Sequence, residues 1–122
     1  MKLGYFAKTV FVVLSAVGLL TISGFAPATD APRKIDITAK RFGYEPAEIT
    51  IKKGEPVVLE LTSQDVTHGL KLKEMNLNVK IEKKKTTELA FTPNEAGDFV
   101  GHCSVFCGSG HGGMALKIHV TE

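Results

Sequence analysis

The sequence predicts an all-β protein, a Greek-key sandwich of seven or eight strands, and three observations carry that prediction. Short stretches alternate between apolar and polar residues with a period of two. Clusters of Gly, Pro, Asn and Asp separate them at close intervals. Nowhere do apolar residues recur at i, i+3, i+4 and i+7 for long enough to build an amphipathic helix.

The strands follow in order. KIDITA, EITIK, PVVLELT, HGLKL, NLNVKI, TELAF, DFVGH and MALKIHV each read as a short run with period-two alternation, with turns expected at FGYEPA, KKGE, SQD, EKKK and TPNEAG. Parity along the last strand puts Met114, Leu116, Ile118 and Val120 in the core, and Ala115, Lys117, His119 and Thr121 on the opposite face. His119 is therefore expected in water beside Lys117. The same counting sets Phe99, Gly101 and Cys103 on one side and turns His102 away from them.

Ahead of these strands the composition changes. Lys2 and Lys8 flank the start of an uncharged run from Thr9, and SGFAPA then supplies small residues ending in A-P-A at Ala28. A basic start, an apolar middle and a small-residue cleavage site make a secretory signal peptide of residues 1–28. The alternative is a retained membrane anchor, because residues 9–26 are free of charge for 18 positions, the short end of a bilayer span. Either way the remainder is expected outside the cytoplasm, periplasmic or otherwise extracytoplasmic, with residues 29–33 as a linker and 34–122 as the folded domain. No cysteine lies near the cleavage site to carry a lipid.

The 94 residues beyond Ala28 hold 13 basic and 13 acidic side chains. This balance argues against a nucleic-acid partner, which calls for a basic excess. The one basic cluster, Lys83 to Lys85 in IEKKKT, reads as a solvated hairpin tip, with docking of an acidic partner as its functional alternative.

Chemistry concentrates in GHCSVFCGSGHGGM, Gly101 to Met114, which holds two cysteines, two histidines, a methionine and five glycines. GSGHGG formally matches a dinucleotide-binding G-x-G-x-x-G, but that loop works only where it opens a helix, and here a strand follows. A Cys103–Cys107 disulfide is possible in a secreted chain, although so short a ring constrains the unfolded state little. The third reading is a metal site. Cys107, His111 and Met114 follow Cys103 at +4, +8 and +11, and thiolate, imidazole and thioether together suit copper better than hard ions. The spacing also matches one helix face. However, four glycines between 108 and 113 would each cost about 1 kcal/mol in a helix, so the segment is expected to wrap as a loop. SQDVTHGL offers a further donor, His68, and Asp65 three residues earlier is expected to cap the SQD turn, with support of His68 as its other role.

The run Cys103 to Met114, with DVTH upstream, resembles the C-x3-C-x3-H-x2-M and DVxH signatures of the dinuclear copper (CuA) cupredoxin domain of cytochrome c oxidase subunit II and nitrous oxide reductase. The likeness extends from about Lys34 to the end and includes FGYEPAEITIKKGEPV. It implies a cupredoxin-like sandwich with two copper ions bridged by Cys103 and Cys107. His68 and His111 would then be terminal ligands, Met114 a weak thioether ligand and Val105 the donor of a backbone carbonyl. It further implies an electron carrier without substrate turnover, exchanging with a redox partner such as a c-type cytochrome or a terminal oxidase.

Four departures qualify the likeness. Subunit II usually has glutamate where Val105 stands, and its carboxylate helps to bind magnesium. The chain has no tryptophan, so the aromatic patch that receives electrons is missing. At most one anchor replaces the usual pair, and 94 residues cannot include a reductase propeller. The expectation is a stand-alone CuA-like domain, and the rival is a copper-delivery protein whose thiols hold Cu(I) for transfer.

Overall fold

The computed structural model describes Gly24 and residues 31–122. Among these are nine strands in two sheets, one more strand than the alternation predicts. They are β1 (Arg33–Lys40), β2 (Gly43–Glu45), β3 (Glu48–Lys52), β4 (Val57–Ser63), β5 (His68–Leu72), β6 (Leu77–Ile81), β7 (Thr87–Phe91), β8 (Gly97–His102) and β9 (Ala115–Thr121). The additional strand is β2, in the stretch expected to be a turn. Its three residues pair antiparallel with the end of β1, Tyr44 opposite Ala39.

One sheet has the order β2-β1-β4-β7 and the other β3-β9-β8-β5-β6. Pairing is antiparallel except for β1 with β4 and β3 with β9, which run parallel. Consecutive strands that look like a hairpin in sequence are split between layers: β6 lies in one sheet and β7 in the other. The lysine segment is therefore an inter-sheet crossover and not a hairpin tip. Lys83, Lys84 and Lys85 are exposed on it, and Lys83 forms a lone bridge to Ser63.

The core follows the alternation. Ile37 from β1, Leu59 and Leu61 from β4, Leu70 and Leu72 from β5, and Leu116 and Ile118 from β9 are all at most 1% exposed. They meet between the layers, where each such side chain contributes about 1.5–3 kcal/mol through burial. Parity holds along β9 and the residue before it: Met114, Leu116, Ile118 and Val120 are buried while Lys117 and Thr121 are exposed. Gly101 and Cys103 are buried and His102 between them is exposed, as the alternation requires.

The expected leader or anchor, apart from Gly24, and residues 29–30 of the linker lie outside the described residues, while Arg33, expected in the linker, opens β1. No helix among the described residues is long and apolar enough to cross a membrane.

Candidate metal centre

Strand ends of the second sheet bring the chemistry together. Cys103 follows β8 directly, His68 opens β5, and the chain from Cys107 winds through a single 3-10 turn, His111–Gly113, to Met114 at the mouth of β9. The expected helix-free loop is thus nearly right. Its tight turns close through amide bonds from His111 to the Gly108 carbonyl, 3.2 Å, and from Met114 to the His111 carbonyl, 3.2 Å. A bond from the Cys103 amide to the Met114 carbonyl, 3.3 Å, carries the β8–β9 pairing one step past the strands. The loop's two ends are therefore tied to each other.

All six positions singled out in the sequence converge here. The two sulfurs lie 3.7 Å apart and are free thiols, beyond the 2.05 Å of a disulfide. His68 Nδ1 is 4.0 Å from Cys103 Sγ, and His111 Nδ1 is 3.7 Å from Cys107 Sγ. The Val105 carbonyl accepts from Cys103 Sγ at 3.1 Å, and Met114 Sδ is 3.8 Å from Cys107 Sγ. The donor atoms of His68, Cys103 and Cys107 all fall within 4.8 Å of one another. His68 and Met114 are completely buried and the two cysteines nearly so, whereas His111 is partly exposed.

Asp65 takes both roles considered for it. One carboxylate oxygen accepts the Val66 amide at 2.7 Å and faces His68 Nε2 at 2.6 Å; the other accepts the Arg41 amide at 2.8 Å. Burial works to raise this carboxyl, but bonds from the Arg41 amide, the His68 ring and the Val66 amide outweigh it and hold the carboxyl at about 2. A carboxylate that takes the Nε2 proton leaves Nδ1 as the lone pair on the sulfur side. His68 is therefore oriented as a ligand needs to be.

Burial, and then the neighbouring Cys103, push the Cys107 thiol up to about 11, against the pull of the Arg41 charge. A metal ion seated on it at neutral pH would displace that proton.

Three residues passed over in the sequence also support the cluster, and all come from the first sheet. Tyr44 on β2 is buried and donates its hydroxyl to the Gly69 carbonyl at 2.5 Å, next to His68 in sequence. Burial, with Cys103 and Cys107 beside it, holds the phenol far above its usual range, so it remains a donor. Arg41 and Phe42, between β1 and β2, reach the ligand loop. The sequence signal was the FGYEPA stretch itself, whose apolar Phe and Tyr are more than a turn requires.

His119 and His102 are not drawn in. His119 sits at the surface between Asp98, 2.6 Å away, and Glu48, 3.5 Å away, and the first of these carboxylates raises it above the usual histidine range.

The donor set fits copper. The 3.7 Å gap is less than twice a typical metal–thiolate bond of about 2.3 Å, so one ion can touch both sulfurs. Each thiol also has an imidazole of its own, and the metal-ligand cluster among the described residues is His68, Cys103 and Cys107, with no carboxylate in it.

Comparison with known proteins agrees with this chemistry. The model of the cupredoxin-like domain matches residues 11–114. Cytochrome c oxidase subunit 2 of Thermus thermophilus is 33% identical over 86 residues, which make up 70% of this chain and 64% of the relative. Nitrous-oxide reductase of Cupriavidus necator is 29% identical over 90 residues, 70% of this chain and 14% of the reductase. The chain thus spans less than two thirds of either relative. Among solved structures, the periplasmic domain of subunit II of cytochrome oxidase from Bradyrhizobium japonicum shares the fold with a TM-score of 0.69 and 20% identity, covering 75% of this chain and 86% of that one.

Proposed function

This chain belongs to the cupredoxin-like family, is homologous to cytochrome c oxidase subunit II and nitrous-oxide reductase, and on that premise we propose that it carries single electrons through a dinuclear copper centre outside the cytoplasm. Cys103, Cys107, His68 and His111 would hold the copper, with Met114 and the Val105 carbonyl as weaker donors. One observation carries the reading: two free thiols stand 3.7 Å apart, each faced by the Nδ1 of a different histidine. A blue-copper site calls for one cysteine, so the second sulfur speaks for a second ion.

A copper pair held there would supply one-electron exchange. The protein's own residues supply the conditions for it. His68, Cys103 and Met114 sit at strand ends and the Cys103–Met114 backbone bond ties the ends of the loop between them, which limits movement of the site and would keep reorganisation small. Burial of both sulfurs keeps water from the thiolates. Phe106, between the cysteines in sequence, is 78% exposed and lines a shallow groove with Val66, Val105 and Arg41. It offers an apolar contact to a redox partner such as a c-type cytochrome or a terminal oxidase. Residues 1–28 act as a secretion signal or tether for the domain.

The test is an electron spin resonance spectrum of the protein reconstituted with copper. Two ions per chain, with hyperfine splitting from two equivalent nuclei and reversible reduction, support the reading. One ion per chain overturns it. Two ions lost readily to a chelator, without reversible reduction, would favour copper delivery instead.

A further inference from the structure

The connection between β1 and β2 holds no candidate ligand and belongs to the sheet opposite the cluster, yet it touches both halves of it. The Arg41 amide donates to Asp65 at 2.8 Å, and Asp65 in turn holds His68, which faces Cys103. The Arg41 side chain donates through Nε to the Cys107 carbonyl at 2.9 Å, across 66 positions of sequence. Next to it the Phe42 ring occupies the space over the ligand loop. A Cβ placed on Gly108 would fall 2.9 Å from a ring carbon, and one on Gly110 only 2.4 Å. Gly108 is further committed to glycine by its φ of +139°. The two glycines are where the ring seats itself.

We propose that Arg41 and Phe42 are positioning residues, a clamp from the opposite sheet that sets the distance between the Cys103–His68 half of the site and the Cys107–His111 half. Its purpose for copper rests on the function proposed above; the clamp itself is a property of the thiols and can be read without metal. Residues 108–113 include four glycines and have little local stiffness. Their position therefore depends on contacts from outside the loop. The planar guanidinium is suited to this because its Nε–H has a fixed direction, which a lysine ammonium cannot reproduce. Released from the clamp, Cys107 is free to approach Cys103 from 3.7 Å to bonding distance.

The experiment compares Arg41→Gln, Arg41→Lys, Phe42→Ala and the milder Phe42→Leu with the parent chain and with Arg33→Gln, an arginine at the far end of β1. In metal-free protein, oxidised glutathione converts the two thiols to a disulfide. The sulfur–sulfur bond forms as two electrons and two protons pass to the glutathione disulfide, giving two molecules of glutathione. Thiol counting should show this closure about tenfold faster in Arg41→Gln, the size expected on losing one hydrogen bond to a charged group, faster also in Phe42→Ala, where the ring over the loop is lost, and unchanged in Arg33→Gln. After copper loading, the same two variants should show unequal splitting from the two nuclei. Parent-like closure rates in Arg41→Gln, Phe42→Ala and Phe42→Leu overturn the clamp. Full restoration by Arg41→Lys overturns the directional bond, leaving charge alone. Should the parent chain bind no copper, the functional reading fails, and the closure rates still decide for or against the clamp.

Discussion

The Asp65 carboxylate meets Nε2 of the fully buried His68 at 2.6 Å, three residues away along the chain. The contact makes a turn residue into the support of a candidate ligand. Replacing Asp65 with alanine frees the ring to rotate and to exchange tautomers. Copper affinity should fall about 10- to 100-fold, as it does when the outer partner of a ligand histidine is lost. Competition with a chelator of known affinity measures this, and Asp65→Asn should recover part of the loss.

The two cysteines should contribute unequally to what survives their loss. Cys107→Ser removes the sulfur nearest His111 and Met114. Metal analysis should then show at most one copper per chain, and the spectrum should lose its two-nucleus splitting. His119→Ala, at the opposite end of β9 from Met114, should leave stoichiometry and spectrum unchanged.

Tyr44→Phe removes one hydroxyl and leaves the ring. Its buried bond to the Gly69 carbonyl then disappears. Urea unfolding of the metal-free protein should show a loss of about 0.5–1.5 kcal/mol, the net worth of such a bond. A loss near zero would mean that water or another donor takes its place.

The surface histidine sets a pH dependence. Asp98 chiefly, opposed by partial burial and helped by Glu48, raises His119 above its ordinary value of about 6.5. Glu48 also pairs with Lys117 at 3.4 Å. A group whose folded pKa is raised stabilises the fold fully below its unfolded value, and that stabilisation disappears as the pH rises through the folded one. Melting temperatures of the metal-free protein should therefore drop as the pH rises from 6.5 through the raised value. His119→Gln should flatten that part of the profile.

Alternation alone located eight of the nine strands, because one face of each is buried and side chains change face at every residue. It missed β2, whose three residues are too few to show a period and, starting at Gly43 between Phe42 and Pro46, resemble a turn. It also took the Lys83–Lys85 segment for a hairpin tip, since β6 and β7 are neighbours in sequence. Their separation into two layers depends on which apolar faces meet in the core. Nothing local records that choice.

The candidate donors were readable for a chemical reason. Cys103, Cys107, His111 and Met114 lie within twelve residues, and residue type already states what each can bind. His68 needed only the DVTH signature. How these groups are held was a matter of the fold. Arg41, Phe42 and Tyr44 reach the site from the other sheet, through a guanidinium on a carbonyl, a ring over two glycines and a hydroxyl on a backbone oxygen. Such contacts form between groups that any sequence contains, so only the packing of one layer on the other selects them. Ligand chemistry is a property of side chains and travels with the letters; ligand spacing comes from surfaces brought together in folding.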